Sequence, residues 1–230
     1  MCSFYNTPGC HWGHGIFASG GSFIERFSSV AGDLRDVLVA PPGNIDDHDL
    51  VRDLRRDIDI PMVFMTYANV LFSYGSEDFI RTSRDIGIDG FIIPDIPFEE
   101  KAEFDGFCKA YDRDLISMIA PTSEDRISMI AREASGFLYC VSSLGVTGTR
   151  GAITTDVGAM VRTAKKAQDI PCAVGFGISG PDQAAAMAAV SDGAIVGSAI
   201  MKIIAQQKPD TAGEVYRFVK ELKDAVRSVQ

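Results

Sequence analysis

The sequence is poor in the features that commit a chain to a membrane, a polyanion or an oxidising compartment. No apolar run in its 230 residues approaches the roughly 18 needed to span a bilayer. Met1–Gly21 has neither a basic start nor an apolar centre, so it does not read as a secretory signal. Lys and Arg number 22 against 31 Asp and Glu, a net charge of −9. Nucleic-acid surfaces and polybasic membrane anchors need clustered cations, and neither partner is expected. The five cysteines (Cys2, Cys10, Cys108, Cys140, Cys172) are odd in number and scattered. That argues against a disulfide framework and for a reducing cytoplasm. Four soft donors, Cys2, Cys10, His11 and His14, fall within thirteen residues. Their spacing, Cys-x₇-Cys-His-x₂-His, matches no common zinc pattern, so no metal is expected and residues 1–14 read as an irregular N-terminal segment.

What the chain does have is a regular succession of short apolar, β-branched runs. Strands are expected near Gly15–Ser19, Val37–Pro41, Met62–Tyr67, Gly90–Asp95, Leu115–Ala120, Phe137–Ser142, Cys172–Phe176 and Gly193–Gly197. Most are continuously apolar rather than alternating, as in parallel strands buried on both faces. Between them lie helix signals. Ser76-Glu77-Asp78 and Ser123-Glu124-Asp125 put acids where the helix dipole favours them, and Gly180-Pro181-Asp182 puts Pro in a first turn. Val215, Phe218, Val219, Leu222 and Val226 recur at helical spacing in a last helix, about Thr211 to Ser228. Eight strands alternating with helices, with no composition break or linker, fit an α/β fold: a single (β/α)₈ TIM barrel over residues 1–230. Its N-terminal units are shortened, the first helix being Ser22–Ala31. An open doubly wound sheet is the alternative.

Ligands of such a barrel bind at the carboxyl ends of the strands. Three glycine-bearing loops fall there in the last three units: Gly145-Val146-Thr147-Gly148, Gly175-Phe176-Gly177-Ile178-Ser179, and Gly197-Ser198 opening a helix through Lys202. Glycine lets main-chain N–H groups approach an anion, and a helix N-terminus adds a favourable dipole. Together they predict a phosphate cradle of backbone donors, which needs no cluster of cations.

These loops, with Met65-Thr66-Tyr67-Ala68-Asn69, Pro94-Asp95-Ile96-Pro97, Glu99-Glu100, Ala120-Pro121-Thr122 and Val196-Gly197-Ser198-Ala199-Ile200, resemble the alpha subunit of tryptophan synthase in order and spacing, over about Pro61 to Ile204. The resemblance implies a (β/α)₈ barrel acting on indole-3-glycerol phosphate by retro-aldol cleavage, with no metal or organic cofactor. It implies phosphate contacts at Gly148, Phe176, Gly177, Gly197 and Ser198, a pocket role for Tyr139, and a beta-type partner subunit facing Met65–Asn69 and Asp95–Glu100. Where family members often carry Arg just after strand six, this chain has Ser143.

The chemistry needs a proton for carbon 3 of the indole, stabilisation of the ring nitrogen, and a base for the glycerol hydroxyl. The resembled family uses a glutamate at the end of strand two and an aspartate in the long loop after it. Here strand two reads Asp36-Val37-Leu38-Val39-Ala40-Pro41, with Val39 at the glutamate's position and a helix starting near Asp46 in place of the loop. Asp36 lies at the wrong end of the strand. Asp95, at the carboxyl end of strand four, is the candidate acid or base, or else an anchor for loop N–H groups. His11 and His14 are candidate replacements near the first strand. Asp46 and Asp47 are expected to cap the helix after strand two, Glu99 and Glu100 to sit in a helical first turn, and His48 to be an exposed helix residue. Two functions follow. One is a lyase on a phosphorylated substrate. The other is a non-catalytic barrel that binds a phosphorylated ligand or a beta-type partner. A Schiff-base aldolase would want a Lys within a strand, and none is there.

Overall fold

The structure is a computed structural model that describes residues 15–19, 36–40, 45–56, 60–142, 157–175, 177–206 and 208–229. The expected first helix, Ser22–Ala31, and the Cys2–His14 segment lie outside these residues.

The eight expected strands are present: β1 (Gly15–Ser19), β2 (Asp36–Ala40), β3 (Met62–Met65), β4 (Gly90–Ile92), β5 (Asp114–Leu115 continuing as Ser117–Ile119), β6 (Leu138–Val141), β7 (Cys172–Gly175) and β8 (Gly193–Val196). They form one sheet in the order β5-β4-β3-β2-β1-β8-β7-β6. The first half of β5 pairs with β4 and the second half with β6. Across the break, the Ile116 N–H bonds the Phe91 carbonyl at 2.8 Å. The two edges of the sheet are therefore halves of one strand, and the chain joins them into a ring. This is the TIM-barrel architecture that the sequence predicts.

One strand departs from it. β1 runs antiparallel to both neighbours, with Gly15 opposite Val39 and Ile16 opposite Val196. Its Gly15 end thus lies at the carboxyl ends of β2 and β8. Apolar content specifies that a strand is buried, not which way it runs, so the sequence pattern is silent on this.

Helices α1 (Ile45–Leu54), α2 (Ala68–Tyr74), α3 (Ser76–Asp85), α4 (Ala102–Ala110), α5 (Glu124–Arg132), α6 (Val157–Ala167), α7 (Pro181–Ala188), α8 (Ser198–Ala205) and α9 (Thr211–Arg227) complete the described fold. α2 is an addition to the expected elements. Asp46 and Asp47 fall inside the first turn of α1 rather than at its cap. Glu124 and Asp125 fall in the first turn of α5 as expected, and Ser123 caps the helix, its Oγ accepting the Arg126 N–H.

Alternate residues of a strand point to opposite faces, and burial along β3–β8 follows. Val63, Ile92, Ile116, Phe137, Tyr139, Ala173 and Ile195 fill the barrel interior. The outward residues meet the helices in two clusters. The first joins Phe64, Phe91 and Leu115 to α1–α4; the second joins Ile119, Leu138, Cys140, Cys172, Val174, Ala194 and Val196 to α5–α9.

His48 corrects the sequence reading. It is 4% exposed, its ring edge-on to Phe64 and Tyr74 and tilted on Phe79, with Nε2 3.3 Å from Ser83 Oγ. Its helix is pinned to β3 and α3 through it.

At the foot of the barrel, where the parallel strands begin, two aspartates stitch neighbours together. The Asp89 N–H donates to the Met62 carbonyl while Asp89 Oδ2 accepts the Met62 N–H, each at 2.8 Å. Asp192 repeats this with Cys172, at 2.9 and 2.8 Å. Arg55 pairs with Asp89 at 2.6 Å, and Lys165 with Asp192 at 2.7 Å. Charge-assisted bonds of this kind exceed an ordinary backbone bond in strength.

Candidate functional site

The carboxyl ends of the parallel strands form the mouth. β7 and β8 are adjacent and in register, Gly175 opposite Ile195, so the loops that follow them leave the sheet side by side. Gly177 has φ of +81°, a left-handed backbone that favours glycine, and a side chain there would project into open space. Gly197 precedes α8, and its carbonyl accepts the N–H groups of Ile200 at 3.0 Å and Met201 at 3.1 Å. Ser198 is the first residue of α8.

The start of α8 differs from that of α5. α5 has Ser123 as cap and two acids in its first turn. At α7, Gln183 Oε1 accepts from both the N–H and the Oγ of Ser179. α8 has no side-chain cap and no acid in its first turn. The leading N–H groups of a helix have no intrahelical partner, so this end presents donors and a positive dipole to the mouth.

Tyr139 stands on β6, opposite Ala173 of β7. It is 8% exposed, and burial pushes its phenol up to about 12, so it carries its proton at neutral pH. A side chain on Gly175 would collide with the Tyr139 hydroxyl and lie 2.6 Å from its Cζ. A larger residue at 175 would have to displace the Tyr139 ring, a constraint the sequence does not reveal. Around Tyr139, Met65, Met118 and Val141 pack half-buried on the interior cluster and give the mouth an apolar floor. The structure thus places Tyr139 on β6, Gly177 just past β7, and Gly197 and Ser198 just past β8, on three neighbouring units of the ring. Gly148 and Phe176 lie outside the described residues.

Asp95 is on the other side of the ring, past the end of β4. It is exposed, and Oδ1 and Oδ2 accept the Ala68 N–H at 3.0 and 3.2 Å. The carboxylate therefore holds the N-terminus of α2, the anchoring alternative of the sequence reading. Among the described residues within four positions of the carboxyl ends of the parallel strands, β2 to β8, Asp95 is the only carboxylate. Val39, on β2, sits beside Val63 in register. Glu99 and Glu100 lie in a single 3₁₀ turn, Phe98–Glu100. The two Arg126 nitrogens bond Glu99 at 2.7 and 3.2 Å, and that bonding holds its carboxyl down to about 2. Glu99 is thus ionised and engaged, unsuited to donating a proton near neutral pH.

Fold and mouth together define an α/β barrel of the eight-stranded TIM class, its glycine loops gathered after the last strands. Within that class the chain belongs to the tryptophan synthase alpha chain family, whose sequence model, described as Tryptophan synthase alpha chain, matches residues 45–227. It is 40% identical over 178 residues to the tryptophan synthase alpha chain of Lacticaseibacillus casei, covering 77% of this chain and 67% of that one. With the alpha chain of Caldanaerobacter subterraneus subsp. tengcongensis the identity is 43% over 180 residues, covering 77% and 69%. Among solved structures, the tryptophan synthase alpha subunit from Campylobacter jejuni superposes with a TM-score of 0.67 at 28% identity, covering 81% of this chain and 83% of that one. A structure of the tryptophan synthase α₂β₂ complex from Pyrococcus furiosus gives 0.68 at 29% identity, covering 76% and 71%.

Proposed function

We propose that this protein is an alpha-type barrel that holds indole-3-glycerol phosphate, or a related phosphorylated substrate, at the mouth over β6–β8. The observation that carries this reading is the side-by-side departure of the Gly177 loop and the uncapped α8 from paired strands. The phosphate is received by main-chain N–H groups of Gly148, Phe176, Gly177, Gly197 and Ser198, with the α8 dipole behind the last two. The apolar body lies over Tyr139, Met65, Met118 and Val141. The reading calls for no cofactor and places the protein in the cytoplasm. The exposed Tyr67 (62%) and Phe72 (51%), on the segment that Asp95 anchors, are the surface for a beta-type partner subunit.

The family's reaction, retro-aldol release of indole, is the activity expected of such a site. A specific observation favours a second reading, binding with impaired turnover: β2 ends in Val39 and Ala40, and Asp95, the one carboxylate among the described residues just past the strand ends, is engaged with Ala68. Loss of one general acid or base forfeits a factor of about 10²–10⁴.

Two measurements test both readings. Indole-3-glycerol phosphate should raise the thermal midpoint, and Gly197→Trp should abolish the rise; no rise in the unmodified protein would overturn the phosphate site. Indole release, with and without a beta subunit, then decides turnover. Release that Asp95→Asn removes would make Asp95 an acid–base group. Release that it spares would remove Asp95 from the catalytic set.

A further inference from the structure

The two ends of the proposed ligand site are built differently. Its phosphate end is main chain, and its apolar end is a floor of side chains at the top of the barrel interior. Deeper in the barrel that interior is stiff. Val63, Ile92, Ile116, Phe137 and Ile195 are all β-branched or aromatic, and none is more than 5% exposed. β-Branching leaves few χ1 rotamers, and close-packed interiors yield little.

The character changes one step toward the mouth. Alternate residues share a face of a strand, so Met65 stands above Val63 on β3 and Met118 above Ile116 on β5. Both are half-buried against the interior cluster, and among the described methionines these two alone pack on it. Each is unbranched, with three side-chain torsions and a polarizable sulfur that packs favourably on aromatic rings. The neighbouring wall is the reverse. Tyr139 lies opposite Met118 in register, but its ring is 8% exposed and closed in by Gly175. A ligand ring over this floor therefore meets one surface that holds its shape and two side chains that re-form around it.

This inference rests on the reading that an aromatic phosphate lies over the floor. We propose that Met65 and Met118 set the breadth of the site's specificity. The substrate class is then phosphate esters of bicyclic aromatic bodies, small alkyl groups on the ring included, rather than one unsubstituted ring. Tyr139 fixes where the ring sits, and the two methionines make room for what it carries.

The test is a titration of the full-length protein, isotopically labelled at the methionine methyls and backbone amides. The probes are 3-(indol-3-yl)propyl phosphate, which lacks the glycerol hydroxyls and cannot undergo retro-aldol cleavage, and its 5-methyl and 6-methyl derivatives. All three should move the Met65 and Met118 methyl resonances in a saturable way. Their dissociation constants should agree within about threefold, where a rigid pocket separates ligands that differ by one methylene by roughly 10–200-fold. The double variant Met65→Ile/Met118→Ile keeps the floor apolar and adds β-branching, so the spread between bare and methylated ligands should widen about tenfold or more. Each single variant should widen it in part, which keeps the prediction open to test if the double variant fails to fold. A spread of about tenfold in the unmodified protein, or an unchanged spread in the variants, would overturn the proposal. Ligands that move the Gly177 and Gly197 amides and leave both methionine methyls still would sink this inference and spare the phosphate site. Ligands that move the methyls alone would do the reverse, and ligands that move neither would remove both.

Discussion

The two halves of the barrel bury their helices by different means. The first uses large rings: Phe64, Phe79, Phe91 and Phe104 are all at or below 1% exposure, and His48 packs among the first two. Phe79 alone meets His48, Phe64, Tyr74 and Phe91 at centroid distances of 5.4–6.0 Å. The buried members of the second cluster are aliphatic, small or sulfur-bearing, with Ala131, Ala164, Ala184, Ala188 and Ala194 among them; Phe98 and Phe218 only flank it. Small residues let α6 and α7 approach β6–β8 closely, and those strands carry the glycine loops. The half that builds the proposed ligand site from main chain is the half whose strands and helices sit close, while the half that bears the exposed aromatic rim is held by a few bulky anchors.

That contrast can be broken most sharply at Phe79. Deleting a buried ring costs the transfer term plus a cavity, about 3–5 kcal/mol for Phe→Ala. Ile200→Val, in the second half, should cost about 0.5–1.5 kcal/mol, because one methylene is lost from a cluster of many small contributors. Urea unfolding of the two variants measures both. Equal losses would mean that burial is as evenly shared in the first half as in the second.

The next test sharpens the close packing of the second half. Gly175→Ala places a methyl against the Tyr139 hydroxyl and ring. Overpacking of this kind costs about 1–3 kcal/mol, and the displaced ring should also reduce stabilisation by indole-3-glycerol phosphate. A smaller residue at 139 removes the clash. In a double-mutant cycle, Gly175→Ala should therefore cost at least about 1 kcal/mol less in a Tyr139→Leu background. Additive losses would show that the Tyr139 ring can move aside freely, and the close approach would lose its meaning.

The same two halves explain what the sequence disclosed. β3, β4, β6, β7 and β8 were legible because they are buried on both faces, which leaves runs such as Met62-Val63-Phe64-Met65. The glycine loops were legible because backbone approach and helix ends are local chemistry. Long-range pairings were not. His48 has polar neighbours in sequence and reads as exposed, yet Phe64, Phe79 and Ser83 enclose it from two other elements. Asp95 reads equally as an acid or an anchor until its bond to Ala68, 27 residues away, is seen. α2 escaped notice because it buries Leu71 alone and shows Phe72 and Tyr74 to solvent, so no apolar stripe marks it. The direction of β1 has no signature in composition at all.

The smallest effect belongs to the seam between the halves. β5 contributes Leu115 to the first outer cluster and Ile119 to the second, with Asp114 at its foot. A side chain at Gly136 would lie 3.0 Å from Asp114 Oδ2, and one at Gly90 2.8 Å from the Asp114 carbonyl, so the turn before β6 and the start of β4 close around it. Burial, the largest cause, raises the Asp114 carboxyl above its ordinary value, partly offset by a hydrogen bond with Ser135 and by Arg113. The folded protein thus binds this proton more tightly than the unfolded chain, where an aspartate titrates near about 3.9. Between the unfolded and the raised folded value the native state holds more protons, so this group's contribution to stability falls as pH rises through that window, opposite to a salt-bridged carboxylate. Asp114→Asn removes the titration. Its urea midpoint should compare more favourably with that of the unmodified protein at pH 7 than at pH 3, and a difference that does not change with pH would show that Asp114 is as well solvated as an exposed carboxylate, leaving the seam open to water.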